Sequence, residues 1–186
     1  MIDVETGGLD PQTCSVLSLA AVVVENGEIR DTFHRYVAEG DIRITEESYQ
    51  IHGLTEDFLK GSGEEPIHVV TDLDTFLIKN GMNMDKITLV GASVAFDISF
   101  LRRLFRLAGC AYDSRFSRHS VDLSSVGIML DQGGYFDILG GLGTPTLNNM
   151  AALFGNKRLT LMHDALEDAL LAAHVYKDML GIHSDY

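Results

Sequence analysis

The chain has 186 residues, 46% of them hydrophobic and 22% charged, proportions that are ordinary for a folded globular protein and exclude a disordered one. Its formal net charge of −13 argues against a broad basic surface that binds long nucleic acid. The same charge is compatible with a site that binds only one end of a nucleic-acid strand. Cys14 and Cys110 form no disulfide framework, and neither a secretory signal nor a membrane-spanning run is recognisable. A cytoplasmic location is therefore expected.

Three strands are predicted in the first part of the chain. Asp3 and Glu5 lie on an extended segment, and residues 16–24 are rich in β-branched side chains, as buried strands are. The Asn26-Gly27 pair then predicts a tight hairpin turn, so that residues 29–37 return antiparallel. An antiparallel meander is expected to open the domain.

The remaining pattern alternates helices with short strands. Capping signals at Thr45 and Thr55 predict two short helices joined at Gly53. A helix is predicted over 67–78, and strands are predicted over 87–91 and 119–123. Three further helices are predicted: one that begins at or near Asp97, one over 146–154 and one over 162–180. The glycine-rich residues 132–144 predict a mobile surface loop. Together these elements predict a mixed α/β sheet with helices on both faces.

Four acids and one histidine form the candidate site. Asp3 and Glu5, two residues apart on a strand, leave the same face and can share a metal ion, and the turn residues after them place both at a strand end. Asp97 stands where a strand meets a helix, a usual place for a site in α/β sheets. His163 and Asp168, if both are helical, are separated by about 500° of rotation and can border one cleft without stacking.

The motifs around these residues resemble those of a known family. Asp3-x-Glu5-Thr6-Gly7, Phe96-Asp97 and His163-x-Ala165-x-x-Asp168 are similar, in order and spacing, to the motifs of the DEDDh (DnaQ-like) 3′→5′ exonucleases. That family includes the proofreading subunit of bacterial DNA polymerase III (epsilon), ribonuclease T and oligoribonuclease. Two further segments, 51–55 and 147–151, resemble the family's His-Gly-Ile-Thr and Leu-x-x-Leu-Ala stretches.

The resemblance implies a fold and an activity. It implies one exonuclease domain over 1–186 with a ribonuclease H-like α/β fold, a five-stranded mixed sheet in the order 3-2-1-4-5 and helices on both faces. It also implies hydrolysis of phosphodiester bonds at the 3′ end of single-stranded DNA or RNA, with release of nucleoside 5′-monophosphates. The implied cofactors are two divalent ions, Mg²⁺ or Mn²⁺.

The resemblance also assigns roles to the site residues. Asp3, Glu5 and Asp168 would hold the ion that carries the attacking water, and Asp3 would bridge to the second ion. Asp97 would act largely through metal-bound waters, and His163 would be the general base.

Six residues are candidates for substrate binding. Thr6 and Gly7 would present backbone amides to the terminal sugar. Ile51 and His52 either line the pocket of the terminal nucleotide or merely end a helix, and the two interpretations weigh equally. Phe96 and Phe100 could stack on a base, although packing in the core is the better prediction for each.

Two departures from the family pattern stand out. Ala92-Ser93 replaces the His-Asn that many relatives carry, so substrate handling is expected to differ while metal binding survives. Only Met1 and Ile2 precede Asp3, whereas relatives have a longer first strand, so a truncated start is expected.

Several alternatives stay open from the sequence. One is a ribonuclease H-like module that binds nucleic acid or a polymerase without turnover, and a phosphatase unrelated to nucleic acid is a distant third. DNA or RNA as substrate, and a homodimer or a polymerase subunit as the assembly, are undecided. Basic residues such as the pair Lys157-Arg158 could contact phosphates, but a solvated surface is the better prediction for each of them.

Overall fold

Five strands and eight helices make up the described part of this computed structural model, which comprises residues 1–83, 86–137 and 140–181. The strands are β1 (Ile2–Thr6), β2 (Val16–Glu25), β3 (Glu28–Tyr36), β4 (Ile87–Gly91) and β5 (Phe116–Asp122). The helices are α1 (Glu46–His52), α2 (Glu56–Ser62), α3 (Pro66–Lys79), α4 (Ala95–Leu107), α5 (Tyr112–Arg115), α6 (Leu123–Gln132), α7 (Leu147–Leu153) and α8 (Ala165–Gly181). None of these helices is long and apolar enough to cross a membrane.

The predicted meander is confirmed. β1 pairs antiparallel with β2, with Asp3 opposite Ala20 and Glu5 opposite Ser18, and β2 pairs antiparallel with β3. Asn26 and Gly27 both have positive φ, 53° and 76°, as expected of the two central residues of a tight hairpin turn.

The predicted five-stranded sheet is not what the structure shows. A three-stranded sheet, β1-β2-β3, and a two-stranded parallel sheet, β4-β5, are separate within the described residues. β4 approaches β1 closely, because a Cβ at Gly91 would lie 2.9 Å from the carbonyl oxygen of Ile2. The backbone N–H of Val4, however, donates to Oδ1 of Asp97 at 3.1 Å. A side chain of the site thus takes a backbone donor that a neighbouring strand would otherwise use.

Helices cover both faces of the meander, as predicted. On one face Leu19, Ala21 and Val23 of β2 belong to a large core that also includes side chains of α3 and α4. On the other face Ala20 and Val22 pack against small residues of α8. β2 is apolar on both sides because each of its faces is covered.

Local capping explains most helix boundaries. The hydroxyl groups of Thr45 and Thr55 accept hydrogen bonds from the backbone at the starts of α1 and α2, and Gly53 ends α1 with a φ of 70°. The last helix begins later than predicted, at Ala165 instead of 162. Its start is set by Asp164, whose Oδ1 accepts from the N–H of Glu167 at 3.0 Å.

The region from 112 to 144 differs most from the prediction. β5 begins at Phe116 instead of 119, and α5 and α6 were not predicted. α6 contains two serines and Gly127, which are weak helix formers, but Asp122 caps it and Gly127 packs against Met150. The glycine-rich stretch is more than a surface loop, because Phe136 and Leu142 are buried in the core with α6 and α7. Of this stretch, residues 138 and 139 lie outside the described part.

Candidate active site

Asp3 and Glu5 lie on β1 and leave the same face of the strand. The hydrogen-bonded pairing with β2 shifts register between Glu5 and Thr6, and β1 ends at Thr6. Gly7 follows where the backbone passes so close to Arg43 that a Cβ would lie 1.7 Å from its carbonyl oxygen. Glycine is therefore the residue that fits here, and the turn leaves Glu5 at the end of the strand.

Asp97 lies in the first turn of α4, which follows β4 as predicted, and is 4% exposed. It accepts the backbone N–H of Val4, so this carboxylate ties α4 directly to β1. The corner between β4 and α4 is held by Asp122, whose Oδ2 accepts from the N–H of Val94 at 2.9 Å. Ser93 in this corner has a φ of 55°, a conformation that serine rarely adopts.

Asp168 lies in the first turn of α8, but His163 precedes the helix, so placing both on one helix was wrong. The backbone N–H of His163 donates to the carbonyl oxygen of Ile51 at 3.0 Å, which fixes the segment against α1. From there Nδ1 of His163 lies 3.3 Å from Oδ2 of Asp168. The two side chains are in contact, closer than the helical geometry had suggested.

All five predicted residues line one cleft of about 950 Å³. Oxygen or nitrogen atoms of Glu5, His163 and Asp168 lie within 4.8 Å of one another, a spacing that can hold a metal ion. Asp3 and Asp97 line the same cleft. The structure thus brings together residues that are up to 165 positions apart in the chain, from Asp3 to Asp168.

The carboxylates of the cleft are largely buried and lie close enough to repel one another. Burial, followed by the charges of Asp168 and Asp164, raises the pKa of Glu5 to about 8. Burial also raises the pKa of Asp97 to about 7, although the backbone hydrogen bond from Val4 acts against this. Burial and the charges of Asp97 and Asp168 hold the pKa of Asp3 well above its usual range. Without a cation the cluster would retain protons near neutral pH.

The residues present fit a divalent cation. The donors are mainly carboxylate oxygens, which Mg²⁺ and Mn²⁺ prefer. Oδ1 of Asp168 is buried and makes no hydrogen bond, although Nη2 of Arg158 lies 2.8 Å from it as an ion-pair partner. A cation would lower the pKa values of the cluster by supplying the missing positive charge.

Comparison with known proteins agrees with this geometry. A family model described as exonuclease (RNase_T) matches residues 1–176. The chain belongs to this exonuclease family. Membership confirms the resemblance to an exonuclease family that the motifs indicated.

Relatives among curated proteins match only in part. A DNA polymerase III of the PolC type from Halalkalibacterium halodurans is 34% identical over 109 residues, and one from Thermotoga maritima is 32% identical over 102 residues. These matches cover 59% and 55% of this chain but only 7% of each polymerase. The chain thus corresponds to a small part of these relatives.

Solved exonuclease structures share the fold. Escherichia coli Exonuclease I in complex with an oligonucleotide superposes with a TM-score of 0.75 at 18% identity, covering 95% of this chain and 39% of that one. The nuclease domain of 3′hExo, a DEDDh family member bound to rAMP, gives 0.73 at 19% identity, covering 97% of this chain and 90% of that one. The ribonuclease H-like α/β fold is therefore confirmed.

The predicted substrate-binding residues divide into two groups. Thr6, Ile51, His52 and Phe96 line the cleft. His52 is the last residue of α1, as one interpretation had it, and its side chain also lines the cleft, while its contact with a nucleotide stays a prediction. Its Nδ1 accepts from the N–H of Leu54, and burial lowers its pKa.

Two predicted residues are placed differently. The N–H of Gly7 donates to the carbonyl oxygen of Ser15 at 2.8 Å, so it is engaged within the fold and not offered to a ligand. Phe100 is fully buried in the core, because it lies on the face of α4 that packs on the sheet, and its ring has no surface for a base.

Arg158 is a cleft residue whose place beside the acids the sequence did not indicate. The pair Lys157-Arg158 was a candidate for phosphate contact with a solvated surface as the better prediction, yet the side chain of Arg158 is 10% exposed and contacts Asp168. Local sequence carried no signal for this, because the contact depends on how the segment between α7 and α8 folds back onto α8.

Proposed function

We propose that this chain is a metal-dependent exonuclease that removes nucleotides from the 3′ end of single-stranded DNA or RNA and releases nucleoside 5′-monophosphates. The observation that carries the proposal is the convergence of Asp3, Glu5, Asp97, His163 and Asp168 in one cleft. Membership in the exonuclease family supports it.

Asp3, Glu5 and Asp168 would hold the divalent cations, with Asp97 completing the acidic cluster from α4. Two such cations, Mg²⁺ or Mn²⁺, would supply an activated water and neutralise charge on the attacking and leaving oxygens. Asp97 also positions β1 through the N–H of Val4. Asp97 therefore aligns the strand that carries Asp3 and Glu5.

His163 would act as the general base. Its side chain is 43% exposed, so solvent and a substrate phosphate can reach it, and it contacts Asp168 through Nδ1. Contact with a carboxylate fixes the ring orientation, which leaves Nε2 to take the proton of the attacking water.

The terminal nucleotide would lie against Ile51, His52, Thr6 and Phe96. Ile51 is 48% exposed, so an apolar surface is available beside the acids. The similarity to Exonuclease I, solved in complex with single-stranded DNA, supports a single-stranded nucleic acid as substrate. The relatives named DNA polymerase III support association with a polymerase as one assembly, and a homodimer is the other.

The test is degradation of DNA and RNA oligonucleotides labelled at the 5′ end, with Mg²⁺, Mn²⁺ or a chelator. We expect a ladder of products shortened from the 3′ end in the presence of a divalent ion only. His163→Ala should reduce the rate at least about a hundredfold, as loss of a general base does. His174→Ala is the matched control, because His174 lies exposed on α8. A wild type that binds oligonucleotides but degrades none would instead support the non-catalytic binding module.

A further inference from the structure

Arg158 and Asp168 form a buried ion pair inside the cleft. Nη2 of Arg158 lies 2.8 Å from both oxygens of Asp168, and the two side chains are 10% and 6% exposed. Asp168 is also the carboxylate that contacts His163. Arg158 therefore pairs with the carboxylate that would also serve as a ligand of a divalent cation.

The hydrogen-bonding capacity of this guanidinium is mostly unused. Nε and Nη1 of Arg158 are buried and have no hydrogen-bond partner. Unpaired donors on a buried cation are costly, and arginine supplies five N–H groups in a fork that suits carboxylate or phosphate oxygens. The unused donors thus point to an anion that binds beside Asp168.

The charge of the cleft leads to the same conclusion. Among the described residues, Arg158 is the only Lys or Arg that lines the cleft, whereas six acids do: Asp3, Glu5, Asp10, Glu47, Asp97 and Asp168. A nucleic-acid phosphate must enter this acidic surface. One fixed cation next to the acids would offset part of the repulsion.

We propose that Arg158 has two partners in turn: it pairs with Asp168 in the metal-free protein, yields that carboxylate to a divalent cation, and then binds the phosphate of the 3′-terminal nucleotide. This inference rests on the proposed exonuclease function. It makes Arg158 a substrate-binding residue whose availability depends on metal loading.

Metal binding without substrate tests the first half of the proposal. Mn²⁺ would be titrated into metal-free protein and free Mn²⁺ followed by electron paramagnetic resonance. Arg158→Gln should bind Mn²⁺ at least about fivefold more tightly than wild type, because a competing positive charge is removed from Asp168. Arg30→Gln, which removes the same charge from an exposed pair with Glu25 in the β2–β3 hairpin, should bind as wild type does.

Nucleotide binding tests the second half. With Ca²⁺ present, the affinity of Arg158→Gln for thymidine 5′-monophosphate should fall about tenfold, as expected when a charge-assisted contact to phosphate is lost. Thymidine, which has no phosphate, should show no difference between the variants. Arg158→Lys, which keeps the charge but not the fork, should retain Mn²⁺ binding close to wild type and recover part of the nucleotide affinity.

The proposal can also be tested on the wild-type protein, so that the result does not depend on whether a variant folds. The Nε–H signal of Arg158 in a ¹⁵N NMR spectrum should shift when Ca²⁺ is added and shift again with thymidine 5′-monophosphate. A signal that moves with neither addition would overturn the proposal. So would an Arg158→Gln variant that binds both Mn²⁺ and the nucleotide as wild type does.

The degradation assay separates this inference from the proposed function. If wild type shortens oligonucleotides and Arg158→Gln does so at the same rate with the same KM, only the role of Arg158 fails. If wild type is inert on every oligonucleotide, the proposed function itself fails, and the role of Arg158 fails with it.

Discussion

Two buried arginine–carboxylate pairs, Arg103–Glu39 and Arg158–Asp168, are similar in burial but differ in how completely their hydrogen bonds are satisfied. Glu39 accepts the N–H of Val16 and two nitrogens of Arg103, and the third nitrogen of Arg103 donates to the carbonyl oxygens of Pro11 and Gln12. Every part of this pair has a partner within the fold.

The Arg158–Asp168 pair uses one nitrogen of the guanidinium and leaves the other two without partners. The first pair joins α4 to the segment after β3, and Nη1 of Arg103 also reaches the loop after β1, so this pair is complete by itself. The second pair leaves donors that, in our proposal, a ligand would use. Hydrogen-bond satisfaction, more than burial, thus distinguishes the structural pair from the pair that we propose to be functional.

Removing the carboxylate of the functional pair should have the largest effect. Asp168→Asn should lower the rate of oligonucleotide shortening at least about a thousandfold, because a neutral amide cannot replace an anionic ligand for a divalent ion. Initial rates at saturating Mn²⁺ would measure this. Asp57→Asn, at an exposed position of α2, is the control. A variant at Asp168 with a rate within tenfold of wild type would contradict the assignment.

Breaking the structural pair should affect stability instead of chemistry. Glu39→Ala would leave Nε and Nη2 of Arg103 and the N–H of Val16 without partners, and we expect the free energy of unfolding to fall by about 3–5 kcal/mol. Urea denaturation measures it. Glu28→Ala, which breaks an exposed pair with Lys177, should cause no measurable change. Equal effects of the two substitutions would show that the buried pair is not structural.

The pH dependence of stability should reveal the acidic cluster. The pKa values of Asp3, Glu5 and Asp97 are raised by folding, so the folded state binds more protons than the unfolded state between about pH 4 and pH 8. Their protonation therefore stabilises the fold below about pH 4, and this contribution is lost as the pH rises through 7 and 8.

The metal-free protein should accordingly melt at least about 5 °C lower near pH 8.5 than near pH 6, and Mn²⁺ should remove most of the difference. Differential scanning calorimetry measures this. Burial lowers the pKa of the Met1 amine to about 6, which acts in the opposite direction in all variants alike. Asp97→Asn should flatten the profile; an unchanged slope in this variant would count against a coupled cluster.

The strained corner beside Asp97 should give the smallest effect. Ser93→Gly should stabilise the fold by about 1 kcal/mol, because glycine adopts a positive φ without the steric cost that serine pays. Asn26→Gly is the comparison, since asparagine tolerates the same region and should gain less. Thermal melts of the two variants would show whether strain is stored at the corner of the site, and a destabilised Ser93→Gly would exclude it.

The parts of the fold that were predictable depend on local chemistry. The hairpin follows from Asn26-Gly27, and the ends of α1 follow from Thr45 and Gly53. The acidic cluster was predictable because its motifs resemble a family. α6 was missed because tertiary packing at Gly127 outweighs weak helix propensity.

Long-range contacts were beyond the sequence. The separation of β1 from β4 depends on Asp97 taking the N–H of Val4, and the contact between His163 and Asp168 depends on Asp164 starting α8. Arg158 reaches Asp168 only because the segment before α8 folds back on the helix. None of these contacts leaves a periodic or compositional signal.

The most direct test of the central claim, that the acids around Asp168 form a divalent-cation site, is a Mn²⁺ titration of metal-free protein followed by electron paramagnetic resonance. Saturable binding by wild type is predicted, weakened at least about tenfold in Asp168→Asn and unchanged in Arg30→Gln. Equal binding by wild type and Asp168→Asn, or no binding by wild type, would contradict the claim.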